Sequence, residues 1–219
     1  MLQASDRGSP LFGVLPIAVV AALAFTAGFA DAFAYVHSHI FAANMTGNTV
    51  LTGIAAVHLD PAHALVPLAA IGWFVLGSIA GRILLDRLPR VHPLYVEALC
   101  LAIAAIVSGG RAQLAWVAIA MGMQNTAIGR FENIKANTSF VTGDFNRIGS
   151  ALARAFEPEH RAHARKTLGV LVPLVIAYGL GAAAAAALVR HGIRHALLAA
   201  IPLVIVCAIV AERTPIESE

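Results

Sequence analysis

Two clusters of small polar and acidic residues interrupt an otherwise apolar chain. The first lies in Gly28 to Gly53, GFADAFAYVHSHIFAANMTGNTVLTG, and offers Asp31, Asn44, Thr46, Gly47 and Asn48. The second lies in Gly122 to Gly149, GMQNTAIGRFENIKANTSFVTGDFNRIG, and offers Gln124, Asn125, Thr138, Thr142, Gly143 and Asp144. Carboxyl, amide and hydroxyl groups in apolar surroundings can hold a polar solute or carry a proton, and they are expensive to bury without such a role or a partner. The stretches align as GFADA with GMQNT and as TGNTVLTG with TGDFNRIG, so the chain carries an internal duplication. The acids exchange places between the copies: Asp31 and Asn48 in the first match Asn125 and Asp144 in the second. Asp31, inside a long apolar run, is the stronger candidate for proton coupling. Its competing role is to lock one helix to a neighbouring broken backbone. Asp144 sits where an acid also suits the positive end of a helix dipole, which favours a structural part.

The elements that position these groups read as helices. Leu11 to Tyr35 is long enough to cross a hydrocarbon core of about 30 Å. It is too long, and its leader too weakly basic, for a cleaved signal peptide. Thr46 to Val57 predicts a short helix capped by Asn44 or Thr46. Ala64 to Leu85, Pro93 to Gly109, Leu114 to Ile128, Thr167 to Val189 and Ala196 to Ala211 are the remaining spans. Gly72, Gly77 and Gly81 in one, and Gly179 and Gly181 in another, suit close helix contact or a homodimer. Residues 139–156 form an amphipathic helix lying at an interface, with Val141, Phe145, Ile148, Leu152 and Phe156 on its apolar side. The fold class expected is therefore all-α and polytopic, a single membrane domain over residues 1–219. Its six spans form two three-helix repeats, about 11–109 and 114–211, each with a short broken or re-entrant helix.

Composition agrees. The chain is 59% apolar and 12% charged, with a mean hydropathy of +0.78, where soluble domains carry about 25% charged residues. With a cytoplasmic amino terminus, twelve of the 15 basic residues fall on the cytoplasmic side: Arg7, Arg82, Arg87, Arg90, Arg130, Lys135, Arg147, Arg154, Arg161, Arg165, Lys166 and Arg213. Arg111, Arg190 and Arg194 fall outside, which satisfies the positive-inside rule. Three spans per half is an odd number, so the halves are expected to be inverted, with paired breaks near the midplane or as two half-sites.

Other features exclude more than they assign. Cys100 and Cys207 read as buried hydrophobes. His37 and His39 have no third ligand at useful spacing, so no metal and no cofactor are expected. Glu97 is expected to pair with Arg82 or Arg87. The sequons at Asn44 and Asn137 fall inside the breaks and are coincidental. Dispersed basic residues give no nucleic-acid footprint. No P-loop, Gly-x-Ser-x-Gly or H-E-x-x-H motif occurs, and no nucleophile–base pair is evident, so an enzyme is not expected.

On GFADA, ANMTGNTVLTG, and GMQNTAI followed by Thr-Gly near Asn146, the chain resembles the YoaK-like family of six-helix bacterial inner-membrane proteins of unknown function. The resemblance extends from about Leu11 to Ala211. It implies a bacterial inner (cytoplasmic) membrane, which with the charge pattern places both termini in the cytoplasm, and it transfers no catalytic residue. The functional expectation is a small transporter or channel for a small polar or anionic solute. The alternative is a non-transporting scaffold or sensor whose Arg147 to Lys166 segment meets a cytosolic partner or anionic lipid.

Overall fold

The computed structural model describes residues 17–88, 92–107, 109–128, 141–193 and 195–213. Among these the chain is all-helical, with eight α-helices: α1 (Ile17–Ser38), α2 (Met45–Val57), α3 (Pro61–Arg87), α4 (Pro93–Val107), α5 (Gly110–Ala127), α6 (Val141–Arg154), α7 (Arg161–Arg190) and α8 (Ile201–Arg213). A 3₁₀ turn, Ala196–Ala199, leads into α8. Thr138, Arg130, Lys135 and the start of the first expected span lie outside the described residues. Of Thr142 only the backbone is described.

Helix ends follow the local chemistry. Asp60 caps α3, accepting from the His63 amide at 3.1 Å, and Pro61 supplies the first helical residue, where a missing N–H is harmless. α1 stops at Ser38, and His39 turns the chain away with φ of 56°. That left-handed conformation is uncommon for a non-glycine residue.

Four segments are long and apolar enough to cross a membrane: Ile17–Ser38, Pro61–Arg87, Arg161–Arg190 and Ala196–Arg213. Met45–Val57 and Pro93–Val107 are shorter apolar helices. α1 is the central rod, with Leu23, Ala24, Ala27, Phe29, Ala30 and Phe33 all buried. α3 and α7 turn large apolar side chains outward instead, among them Leu65, Leu76, Ile79, Ile83, Ile176 and Leu180. An outer surface of that kind is a contact with lipid chains rather than with water.

Glycines set the tightest crossings. A methyl group added at Gly28 would strike the Tyr178 carbonyl, and one at Gly181 would strike the Phe25 carbonyl, so α1 and α7 touch backbone to backbone. Gly77 against Ile119 and Gly122 against Phe74 do the same for α3 and α5. Partners are thus exchanged between the two halves of the sequence. α1 packs on α7, α5 on α3, α4 on α5 and α8 on α1, while α2 stays with α3 and α6 with α7.

Three sequence expectations change. Gly72 and Gly179 face open space, so Gly77, Gly81 and Gly181 make the close contacts. Glu97 pairs with neither Arg82 nor Arg87. It is fully buried on α4, and both its oxygens lack a hydrogen-bond partner among the described residues, while Arg82 is bonded to Asp86 at 2.8 Å. The helical stripe of α6 divides into two faces. Asp144 and Ala151 are buried and Ile148 packs against the core, whereas Phe145, Leu152 and Phe156 are exposed. α6 therefore has one flank on α7 and a separate apolar flank free for lipid.

Candidate functional site, a clasp at the first helix break

Between α1 and α2 the chain leaves helical geometry for residues 39–44. Backbone amides that leave helical pairing inside a folded chain need other acceptors. Asp31 supplies them. One carboxylate oxygen accepts from the Ala43 amide at 2.6 Å and from the Asn44 amide at 3.2 Å. The other accepts the hydroxyl of Tyr178 on α7. Asp31 is 3% exposed, so these three donors replace water for a buried acid. Losing such an acceptor leaves a buried donor stranded, at a cost of about 1–3 kcal/mol each.

Asn48 completes the turn. Its amide accepts from the Phe41 N–H at 2.9 Å and donates to the Phe41 carbonyl at 2.8 Å, pairing with one residue as a neighbouring strand would. Asn44 is the N-cap of α2, accepting from the Gly47 amide at 3.0 Å. Gly47 has to lack a side chain, because a Cβ there would lie 2.8 Å from the Phe41 ring. That ring stacks on Tyr35 at 4.8 Å. Thr46 is exposed at the start of α2. The first copy is thus one connected unit: Asp31 fixes residues 43 and 44, Asn48 fixes residue 41, and Asn44 sets the axis of α2.

The second cluster is differently built. Asp144 lies in the first turn of α6, 2% exposed, with the Arg147 guanidinium 3.5 Å away. Burial pushes its carboxyl up to about 6, and Arg147 partly opposes that rise. Gly143 is exposed, with open space beside it. Gln124 does not join the Asp31 cluster. It is fully buried and donates to the Leu23 carbonyl at 2.9 Å, tying α5 to α1. Asn125 is half-buried. α2 and α6 make no contact with each other, so the helices that follow the two breaks do not share a wall. His37 hydrogen-bonds to the Phe33 carbonyl at 2.8 Å, and no metal-ligating group of three or more occurs among the described residues.

Three participants escaped the sequence reading. Tyr178 is one of three tyrosines and aligns with Phe74, three residues before Gly181 and Gly77 respectively, so the duplication hides it. Its signal was a lone phenol in an apolar helix, a group that requires a partner when buried. Thr126 and Ser78 were missed as well. The Thr126 hydroxyl donates to the Ser78 carbonyl at 3.1 Å, and the Ser78 hydroxyl to the Gly122 carbonyl at 3.2 Å. This pair binds α5 to α3, as Asp31 and Tyr178 bind α1 to α7.

The exposed apolar belt, the apolar helices and the satisfied helix break define an α-helical membrane protein. The chain belongs to the family described as "Protein of unknown function (DUF1275)", whose model matches residues 19–210. It is also similar to the UPF0700 transmembrane protein RA0705 of Rhizobium meliloti (strain 1021), with 36% identity over 141 residues. That match covers 63% of this chain and 62% of the relative, so the chain spans less than two thirds of the relative's length. No solved structure matches.

Proposed function

We propose that the protein is a small transporter or channel of the bacterial inner membrane, without enzymatic activity, that passes a small polar or anionic solute. Six spans would form two inverted halves, with both termini in the cytoplasm. The observation that carries the reading is the Asp31–Tyr178 hydrogen bond. It joins the helix break of one half to a long helix of the other, so opening or closing it changes how the halves meet. Exchange of helix partners between the halves supports a repeat architecture, and such repeats allow one half to rock on the other. Asp31 and Asn48 act chiefly as positioning groups, because their polar atoms are already engaged. Thr46, exposed at the start of α2, is the group left to meet a solute.

The test is flux. Purified protein in liposomes is challenged with a panel of small polar and anionic solutes, alongside Tyr178→Phe and Asp31→Asn. Wild type is expected to pass at least one solute, and both variants to change that rate at least fivefold. Absence of flux for the whole panel would remove transport.

A second reading, a scaffold or sensor, is favoured by one feature. Arg154, Arg161, Arg165 and Lys166 are exposed around the short connection from α6 to α7, beside the outward Phe145 and Phe156. That pairing of basic and apolar groups suits a surface of anionic lipid. Sedimentation with anionic vesicles of a peptide covering residues 141–166 tests it.

A further inference from the structure

Glu97 is the most anomalous polar group among the described residues. It lies one turn into α4, its side chain is 0% exposed, and neither oxygen has a hydrogen-bond partner. The thiols of Cys100 on α4 and Cys207 on α8 lie within electrostatic reach of it. Those thiols are themselves buried, and Cys207 contacts the Val19 carbonyl of α1 at 3.9 Å. Titratable groups around α4 have partners of their own: His92, buried just before α4, accepts from the Leu94 amide at 3.2 Å. Glu212 of α8 accepts from Tyr95 at 3.0 Å. His195, before the 3₁₀ turn, bonds to the Ala105 carbonyl at 2.9 Å. Arg82 of α3 holds Asp86.

An isolated carboxylate in such a place is among the most costly groups a protein can contain, whereas the neutral acid costs only an unmet hydrogen bond. A purely structural position would be filled at lower cost by leucine or glutamine. We propose that Glu97 is a proton-binding site in the seam between α4 and α8. In the packed seam the carboxyl carries a proton. Release gives that proton to water entering the seam and leaves a carboxylate that must stay wet, so the deprotonated form holds α4 and α8 apart. Uptake reverses the step: hydronium supplies the proton, an O–H bond forms, water leaves and the seam closes. The inference rests on the transport reading only in assigning the proton as coupling ion. The protonation itself is independent of any solute.

Dicyclohexylcarbodiimide, an apolar reagent that adds to protonated carboxyls, is the probe. Full-length protein in liposomes is treated at pH 6 and pH 9, and the adduct is mapped by peptide mass spectrometry. Glu97 is expected to be the main site, with at least tenfold less total adduct in Glu97→Gln and little change in Asp31→Asn. Infrared spectroscopy of the same samples reads the state directly. At pH 9, where Asp144 with its carboxyl near 6 is ionised, the carbonyl stretch of a protonated carboxylic acid is expected in wild type and lost in Glu97→Gln, a variant of equal size that mimics the neutral acid and should fold. A band unchanged by that substitution, whether or not an adduct forms, overturns the proposal. Flux absent from a protein that shows the band defeats the transport reading and leaves the proton site standing.

Discussion

At the residue scale the molecule answers one question repeatedly: how a polar atom is satisfied where water is scarce. Asp31 does so with two backbone amides and a phenol. Tyr178→Phe removes one donor and leaves the other two, so it should destabilise by about 1–2 kcal/mol, near the upper end of measured interhelical bonds in membranes. Asp31→Ala strands all three donors and should cost about 3 kcal/mol or more. Thermal unfolding in detergent ranks the two, and equal effects would mean that Asp31 does not hold the break. Asp144 gives a pH-dependent counterpart. Its carboxyl is raised to about 6 in the folded protein from an ordinary 3.8. The folded state therefore binds the proton more tightly. The contribution is fully present below pH 4 and is lost as pH rises through about 6. Docking of α6 should weaken across that window by about 1–2 kcal/mol, after allowance for the exposed Arg147 beside it. Asp144→Asn should flatten this part of the pH profile, read as hydrogen exchange of α6 amides at pH 5 and pH 7.5. An unchanged profile would place the titration elsewhere.

At the element scale, stability comes from backbone contact at glycines more than from side-chain bulk. Gly28, Gly181, Gly77 and Gly122 each press a neighbouring carbonyl. Lipid-immersed helices gain little by burying apolar surface, so close packing has to supply the association. Alanine at any of the four must push a backbone away, with an expected loss of about 2 kcal/mol or more, while Gly72→Ala and Gly179→Ala meet open space and should be neutral or slightly stabilising. Gel filtration and thermal melts of the six variants check the contrast. The same helices show how far sequence reaches. Four of the six expected spans, those of α1, α3, α7 and α8, were legible because hydropathy is local, and the Asn44 cap because its spacing to Gly47 is fixed by helix geometry. Which glycines touch was not legible, since Gly77 and Gly72 look alike until the helix they face is known. Asp31 was identifiable as a buried acid, but its clasp depends on a residue 147 positions away. Glu97 was expected to pair with Arg82 or Arg87 because all three fall near cytoplasmic helix ends in the sequence reading. In space α4 turns it inward, away from them.

At the scale of the whole molecule the proposed transport reading requires halves mounted in opposite directions. The proposed inversion is motivated by the partner exchange of α1 with α7 and α5 with α3 and by the distribution of basic residues, which the positive-inside rule fits better to opposed halves than to a same-way repeat. Inversion makes a definite demand on two exposed positions, Thr46 at the start of α2 and Gly143 at the start of α6. The short helix of the first half should be entered from outside, that of the second from the cytoplasm. Cys100 and Cys207 are both buried, so replacing them with alanine leaves a quiet background for single cysteines. In intact cells a membrane-impermeant maleimide should label Thr46→Cys at once, and Gly143→Cys only after the inner membrane is opened. Neither substitution disturbs packing: Thr46 is exposed, and a Cβ at Gly143 meets open space. Labelling of both from the same side would mean that the two clusters open to one compartment. The duplication would then be a device for folding, and alternating access between halves would have no structural basis.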